Sequence, residues 1–370
     1  MRSPPSPVCD CRGIPSPCLD LAGERPKVKT MGLRDGRIDA AKFVLVVMVV
    51  IGHLVERGQV DAGQLVYRWI YLFHMPAFIF LSGLVSSEVV DGRRGARLAA
   101  LVVLPYLFHQ GVAQGLDAWL SGHAFGYAPG TPYWALWYLM SLCFWRLALP
   151  VAMGTGVPLL LAVAASLAAG LVPDFGYPWS SSRTLVFFPF FVLGHLYARQ
   201  GGIRLPRRSL LLGSAGLAAV AVIAIVCRKV PLAWLYGAEP YAVFAASAPA
   251  GMSLRALQLA VGVIGAFSLF ALVPAAAPLV KLGRHTMAIF ITHIYLLMLL
   301  QAGGWLERLQ RLADLPAAVV LVAIAMAVSL LAVAFGRLVP WVFDFTWLLD
   351  ALGRLVQGRA GCRASQSGSR

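Results

Sequence analysis

Residues 39–53 read Asp39-Ala-Ala-Lys42-Phe-Val-Leu-Val-Val-Met-Val-Val-Ile-Gly-His53. From Phe43 to Gly52 no side chain is polar, and a lysine and a histidine bracket the run. In lipid every backbone N–H and C=O must be satisfied internally, so a spanning segment is a helix or part of a closed barrel. This run does not alternate, so it predicts a transmembrane helix over roughly 39–56. The same pattern recurs on both sides of the chain's centre. Further spans are expected at roughly 66–86, 98–117, 133–150, 154–172, 184–199, 209–227, 256–277, 285–302 and 317–343, the last breaking near Pro340. The fold class is therefore all-α: a polytopic membrane helical bundle of about ten transmembrane helices.

Composition agrees. The chain is 59% hydrophobic and 13% charged, with a mean hydropathy of +0.75. A soluble domain sits near half apolar and a quarter charged, and a chain of 370 residues has no interior large enough to hide this excess. The net charge of +15 does not mark a nucleic-acid binder, because the basic residues stand in short blocks between apolar spans. Six cysteines lack CxxC or Cys/His spacing, so neither a disulfide framework nor a zinc site is expected.

The basic blocks set orientation. Lys27 to Arg37, Arg93 to Arg97, Arg199 to Arg208, Lys281 with Arg284, and Arg354 to Arg370 fall in alternate loops. The intervening loops hold far fewer, chiefly Arg57, Arg228, Lys229, Arg308 and Arg311. The positive-inside rule then puts both termini in the cytoplasm. The organisation expected is a disordered tail over 1–36, a membrane domain over 37–345 and a basic cytoplasmic tail over 346–370. Met31 opens a stretch that reads as an alternative start. Residues 228–254 carry Trp234, Tyr236, Tyr241 and several prolines, and are expected to form an extracytoplasmic, partly re-entrant loop.

Ionisable groups inside lipid are costly, and each is a functional candidate. Lys42 and His53 are separated by about 1100° of helix rotation, within about 20° of alignment, and by about 16 Å of rise. Asp39 lies near the same stripe. A snorkelling lysine and a satisfied bundle histidine would give the same pattern. The second span carries Tyr71-Leu-Phe-His74-Met-Pro76, then Leu81-Ser82-Gly83. The ninth carries Leu282-Gly-Arg284-His285-Thr286 and His293. Three histidines at membrane depth form a cavity or a metal site, but no carboxylate or cysteine ligand accompanies them, so no metal is expected. Arg93, Arg94 and Arg97 precede Leu104-Pro105-Tyr106 and suit donor phosphates, although a topology signal alone would also place arginines there. The fourth span opens Tyr133-Trp134-Ala-Leu-Trp137-Tyr138-Leu139, a membrane-interface belt or a stacking platform for a sugar.

Taken in order, Ile38-Asp39, a cation before Gly52-His53, Phe73-His74-Met75-Pro76, Leu81-Ser82-Gly83, the arginine cluster, Trp137-Tyr138-Leu139, Phe191 to Gly194, and Leu282 to Thr286 with His293 resemble the acyltransferase 3 family of integral membrane acyltransferases. The His-Met-Pro version of the second span is similar to the fucose 4-O-acetylase-like branch. The resemblance covers roughly residues 36 to 345 and implies acyl transfer, usually acetyl, from cytoplasmic acyl-CoA to a hydroxyl. The acceptor it implies is a surface glycan, a lipid-linked glycan or a small molecule. The family's first-helix histidine maps onto His53 and its basic partner onto Lys42, where arginine is commoner. Lysine is a point charge without the bidentate fork.

The reading expected is thus a membrane O-acyltransferase of the cell (inner or plasma) membrane, most simply an O-acetyltransferase using acetyl-CoA as co-substrate. His53 is the base, or the site of an acyl-histidine, because imidazole accepts protons near neutral pH. Asp39 orients Lys42. Arg93, Arg94 and Arg97 grip the donor, and His74, Trp137 and His293 shape the acceptor side. The competing class is a multi-span transporter or flippase, although no inverted repeat supports it.

Overall fold

The computed structural model describes residues 35–58, 64–89, 91–173, 175–305, 308, 316–352 and 354. Both expected tails lie wholly or mostly outside the described residues. So do the Met31 alternative start, Cys9, Cys11, Cys18, Cys362 and Arg311.

The described residues are helical, with no strand among them. The principal helices are α1 (Arg37–Gly58), α2 (Gln64–Leu84), α3 (Gly92–Ser121), α4 (Trp137–Gly154), α5 (Pro158–Ala169), α6 (Ser181–Gly201) and α7 (Leu210–Val226). They continue as the short α8 (Ala233–Tyr236) and α9 (Tyr241–Phe244), then α10 (Ala248–Leu272), α11 (Ala277–Gly283), α12 (Thr286–Ala302) and α13 (Pro316–Leu338). Every expected span coincides with a helix. Seven described helices are long and apolar enough to cross a membrane on their own, and eight if α11 and α12 form one span bent by 69°. The estimate of ten also counted α5 and α6. The α5 helix is short, and α6 carries Arg183, His195 and Arg199, which lower its apolarity.

Burial separates a centre from a lipid-facing rim. The α1 helix is central: 67% of its apolar window is buried in protein, against 22% for the Leu210–Lys229 stretch at the rim. Leu211, Val226, Val319 and Leu338 stand out on the exterior, an outer surface that water would not tolerate and acyl chains would. Helix approach depends on glycine where backbones meet. A Cβ at Gly83 of α2 would collide with the Phe191 carbonyl of α6, and one at Gly194 of α6 with the Phe80 carbonyl of α2. The Ser82-Gly83 pair therefore acts as small-residue packing requires. Gly283 meets the Asp39 carbonyl in the same way and ties α11 to α1.

Three local features differ from simple spans. The α3 helix starts on an Asp91 cap, whose carboxylate accepts from the Arg94 N–H at 2.8 Å. It then widens to a π-helical turn over Ala99–Val103, and Phe345 N–H donates to the Ala100 carbonyl at 3.1 Å. The α10 helix begins at Ala248, earlier than the sequence indicates, because Ser247 caps it and Pro249 fits its first turn. The remaining loop, 230–247, buries Trp234, Leu235, Tyr241 and Phe244 within the protein. Finally, Arg37 is more than a topology charge: its guanidinium donates to the carbonyls of Val273, Pro206 and Phe270. It closes the C-terminal end of α10 against α1.

Candidate active site

Two cavities are separated along α2, one just past its C-terminal end and one at its middle. The first has a volume of about 270 Å3 and is lined by Val85, Ser87, Val89, Arg94, Arg97, Leu98, Leu101, Val102 and Arg146. Its wall includes the π-helical turn. Arg94 donates to Ser87 Oγ at 2.9 Å and to the Val89 carbonyl at 3.3 Å, and lies 3.7 Å from Asp91. Arg93 is exposed on the same turn and does not line the cavity. Arg146 enters from the middle of α4. It is half-buried, and its buried Nε has no hydrogen-bond partner. Sequence reading passed over Arg146, although a cation inside an apolar span is itself a signal.

The second cavity, about 70 Å3, is formed by the C-terminal end of α1, the middle of α2, the 3-10 turn Trp134–Leu136, α6 and the loop after α7. It gathers His53, Glu56, Tyr71, His74, Met75, Trp134, Trp137, Arg183 and Tyr236. His53 Nδ1 lies 3.0 Å from Glu56 Oε2. The carboxylate only accepts, so Nδ1–H donates and the ring's acceptor is Nε2. Tyr71 OH donates to the same carboxylate oxygen at 3.5 Å. Glu56 is one turn beyond His53 on α1, where (i, i+3) side chains meet. Sequence reading treated it only as the end of a span.

The other two histidines are oriented the same way. His74 Nδ1–H donates to the Ile70 carbonyl at 2.8 Å, and His293 Nδ1–H to the Ile289 carbonyl at 3.1 Å. The His293 ring stacks on His53, with centroids 5.5 Å apart and planes 14° from parallel. Trp134 lies closer still, its centroid 4.1 Å from that of His53. Trp134 holds a φ of 47°, a region few non-glycine residues enter. Such strain persists only where surrounding contacts hold it. Trp137 supports Arg183, whose guanidinium carbon is 5.1 Å from the Trp137 ring centroid and 4.9 Å from that of Tyr177.

His53, His74, Trp137 and His293 are thus brought together, and Arg94 and Arg97 share the other cavity. Lys42 and Asp39 join neither. They stand 3.9 Å apart on α1, Asp39 beside Gly283, and line neither cavity. Among the described residues no group of three or more His, Cys, Asp or Glu side chains is arranged to hold a metal ion.

Between the cavities the bundle is filled. Ser82 Oγ and Tyr138 OH are 2.5 Å apart, and Tyr138 packs edge-on against Phe78 and Phe290. A helical membrane bundle with a histidine–carboxylate pair near the C-terminal end of α1 and an arginine-lined cavity past the end of α2 is equipped for group transfer within a membrane. The chain belongs to the acyltransferase 3 family: residues 35–334 match its acyltransferase domain. It is a membrane acyltransferase, acting between an acyl donor and a hydroxyl acceptor. No curated protein and no solved structure matches the chain.

Proposed function

We propose that this acyltransferase takes its acyl group, most simply acetyl, from acyl-CoA on the cytoplasmic side of the cell membrane. It delivers that group to a hydroxyl of a glycan or another surface or secreted acceptor. The observation that carries the proposal is the His53–Glu56 pair facing a cavity lined with aromatic side chains. Glu56 holds the Nδ1–H tautomer, so Nε2 is the basic nitrogen. Nε2 takes the acceptor's hydroxyl proton as its oxygen attacks the thioester carbonyl. The carbon–sulfur bond then breaks, and the thiolate of CoA leaves and takes the proton back from the imidazolium. Arg94, Arg97 and Arg146 hold donor phosphates at the other cavity, while Arg93 is exposed on the same turn outside it. Asp39 and Lys42 pair near that same end of α1 and keep a cation at the donor side. His74, His293, Trp134 and Trp137 bound the acceptor.

This reading puts both termini and the arginine cavity in the cytoplasm, as the basic loops require. It is tested with the full chain in lipid nanodiscs, following thiol release from acetyl-CoA, and by mass spectrometry of surface glycans and extractable metabolites from cells with and without the gene. His53→Ala and His53→Gln should both lose transfer by about 10²–10⁴ while the protein stays inserted. Near-normal turnover by the Gln variant would remove imidazole chemistry from the reaction.

A further inference from the structure

Arg183 has no role in the chemistry above, yet it lines the same cavity as His53. It projects from the first turn of α6, half-buried, with its guanidinium between the rings of Trp137 and Tyr177. Its Nε donates to the Tyr236 carbonyl at 3.3 Å. The described residues give Nη1 and Nη2 no hydrogen-bond or ion-pair partner. The nearest acids are otherwise engaged or out of reach. Glu56 is taken by His53 and Tyr71, and Glu239 acts on Arg183 only through space. Two aromatic faces thus fix the plane of a cation whose outer N–H edge is unused.

We propose that the acceptor is an acidic molecule, whose carboxylate or phosphate group seats on the Nη edge of Arg183 while a hydroxyl of the same molecule is presented to His53. The claim rests on the acyl-transfer reading of this cavity and narrows its substrate class. A planar guanidinium with parallel donors matches two oxygens of a carboxylate or phosphate. The stacking rings fix that fork in advance, so little freedom is lost on binding. A partly desolvated charge with no direct ion pair is costly, and an anionic acceptor seated on it would lower that cost. Tyr236 and Trp137 would then flank the acidic group, with Trp134 over the reacting hydroxyl.

The test uses the full chain in nanodiscs with acetyl-CoA and three probes: methyl glucoside, methyl glucuronide and glucose 6-phosphate. Thiol release should show kcat/KM for the carboxylate or the phosphate probe about tenfold or more above the neutral one. The better of the two identifies which anion the site takes. Arg183→Gln should erase that advantage without moving the KM for acetyl-CoA, because Arg183 lies outside the arginine cavity. Arg183→Lys, which keeps the charge and loses the fork, should retain part of it. Equal use of neutral and acidic probes, or an acidic preference that survives Arg183→Gln, overturns the proposal and leaves acyl transfer standing. No thiol release with any probe or with water removes the acyl-transfer reading, and this proposal with it.

Discussion

Replacing Glu56 by glutamine isolates the step on which the proposed chemistry turns. The wild-type contact is a 3.0 Å hydrogen bond from the His53 Nδ1–H to a carboxylate oxygen, supported by Tyr71. A hydrogen bond to a charged partner contributes about 1.5–3 kcal/mol. If that contribution is expressed as the ring gains its proton in the transition state, kcat falls by roughly 10- to 150-fold. Glutamine can also turn its amide N–H2 toward Nδ1 and favour the opposite tautomer, which pushes the loss to the upper end. The arginine cavity proposed to hold the donor lies past the end of α2, away from Glu56, so the KM for acyl-CoA should not change. The assay is steady-state thiol release by the nanodisc protein, with His53→Ala and the Glu56→Gln/His53→Ala double variant beside it. If Glu56 acts only through His53, the double variant is no slower than His53→Ala alone. A Glu56→Gln protein with wild-type kcat, or a double variant slower by the full Glu56 factor, would refute the reasoning.

Other outcomes follow from the same geometry. Arg94→Ala with Arg97→Ala should raise the KM for acyl-CoA by about a hundredfold, since two charge-assisted contacts at about 1.5 kcal/mol each are lost, in protein that still inserts. Arg146→Met should raise the same KM by about tenfold yet leave the thermal midpoint level or higher, because the unoccupied protein sheds a buried, unpartnered Nε. Gly83→Ala should destabilise by about 1–3 kcal/mol, as α2 and α6 must separate around the Phe191 carbonyl, whereas Gly95→Ala, with nothing within 4 Å, should be neutral or stabilising in the same thermal scan. The hydrogen bond from His195, reinforced by Arg199, holds the Glu88 carboxyl below its ordinary 4.5. Its stabilising contribution is therefore complete above about pH 4.5 and lost as pH falls through the lowered value, and Glu88→Gln should remove that acid-side step from a midpoint-versus-pH series.

The spans were legible because the bilayer imposes a one-dimensional rule: a long apolar run such as Phe43–Gly52 has no other economical conformation. The count was less legible, because α5 and α6 are held by packing against neighbours more than by apolar length. Tight Gly83 and Gly194 crossings do that work for α6. At the site, the three histidines could be named from the sequence because each is an ionisable group inside an apolar run. Arg146 and Arg183 carried that same signal and went unread. Glu56 was hidden by its place at a span's end, where an acid is ordinary. Leu235 and Tyr236 could not be found at all: they reach the cavity only because the loop after α7 folds back into the protein, far along the chain from His53.

The filled middle of the bundle bears on the choice between transfer and transport. His74 of α2 lines one cavity, and Val85, the first residue past the end of α2, lines the other; from His74 to Leu84 the helix rises about 15 Å. Between them stand Ser82, hydrogen-bonded to Tyr138, and the rings of Phe78 and Phe290. A carried solute as wide as a sugar would have to displace all of these, and with them the α2–α6 crossing at Gly83, which closes against backbone and has no slack. An extended thioester arm is one chain of atoms wide. The Ser82–Tyr138 contact is the polar link in this layer, and displacing that one side chain asks less of the bundle than separating α2 from α6. The interior therefore favours a slender donor reaching from the arginine cavity toward His53, with the acceptor arriving from the opposite face. On that account Tyr138→Phe, which loses the Ser82 bond and keeps the ring, should leave the protein folded and transfer intact, whereas Ser82→Leu, which adds bulk to this filled layer, should stop transfer in the fraction of protein that still folds and inserts.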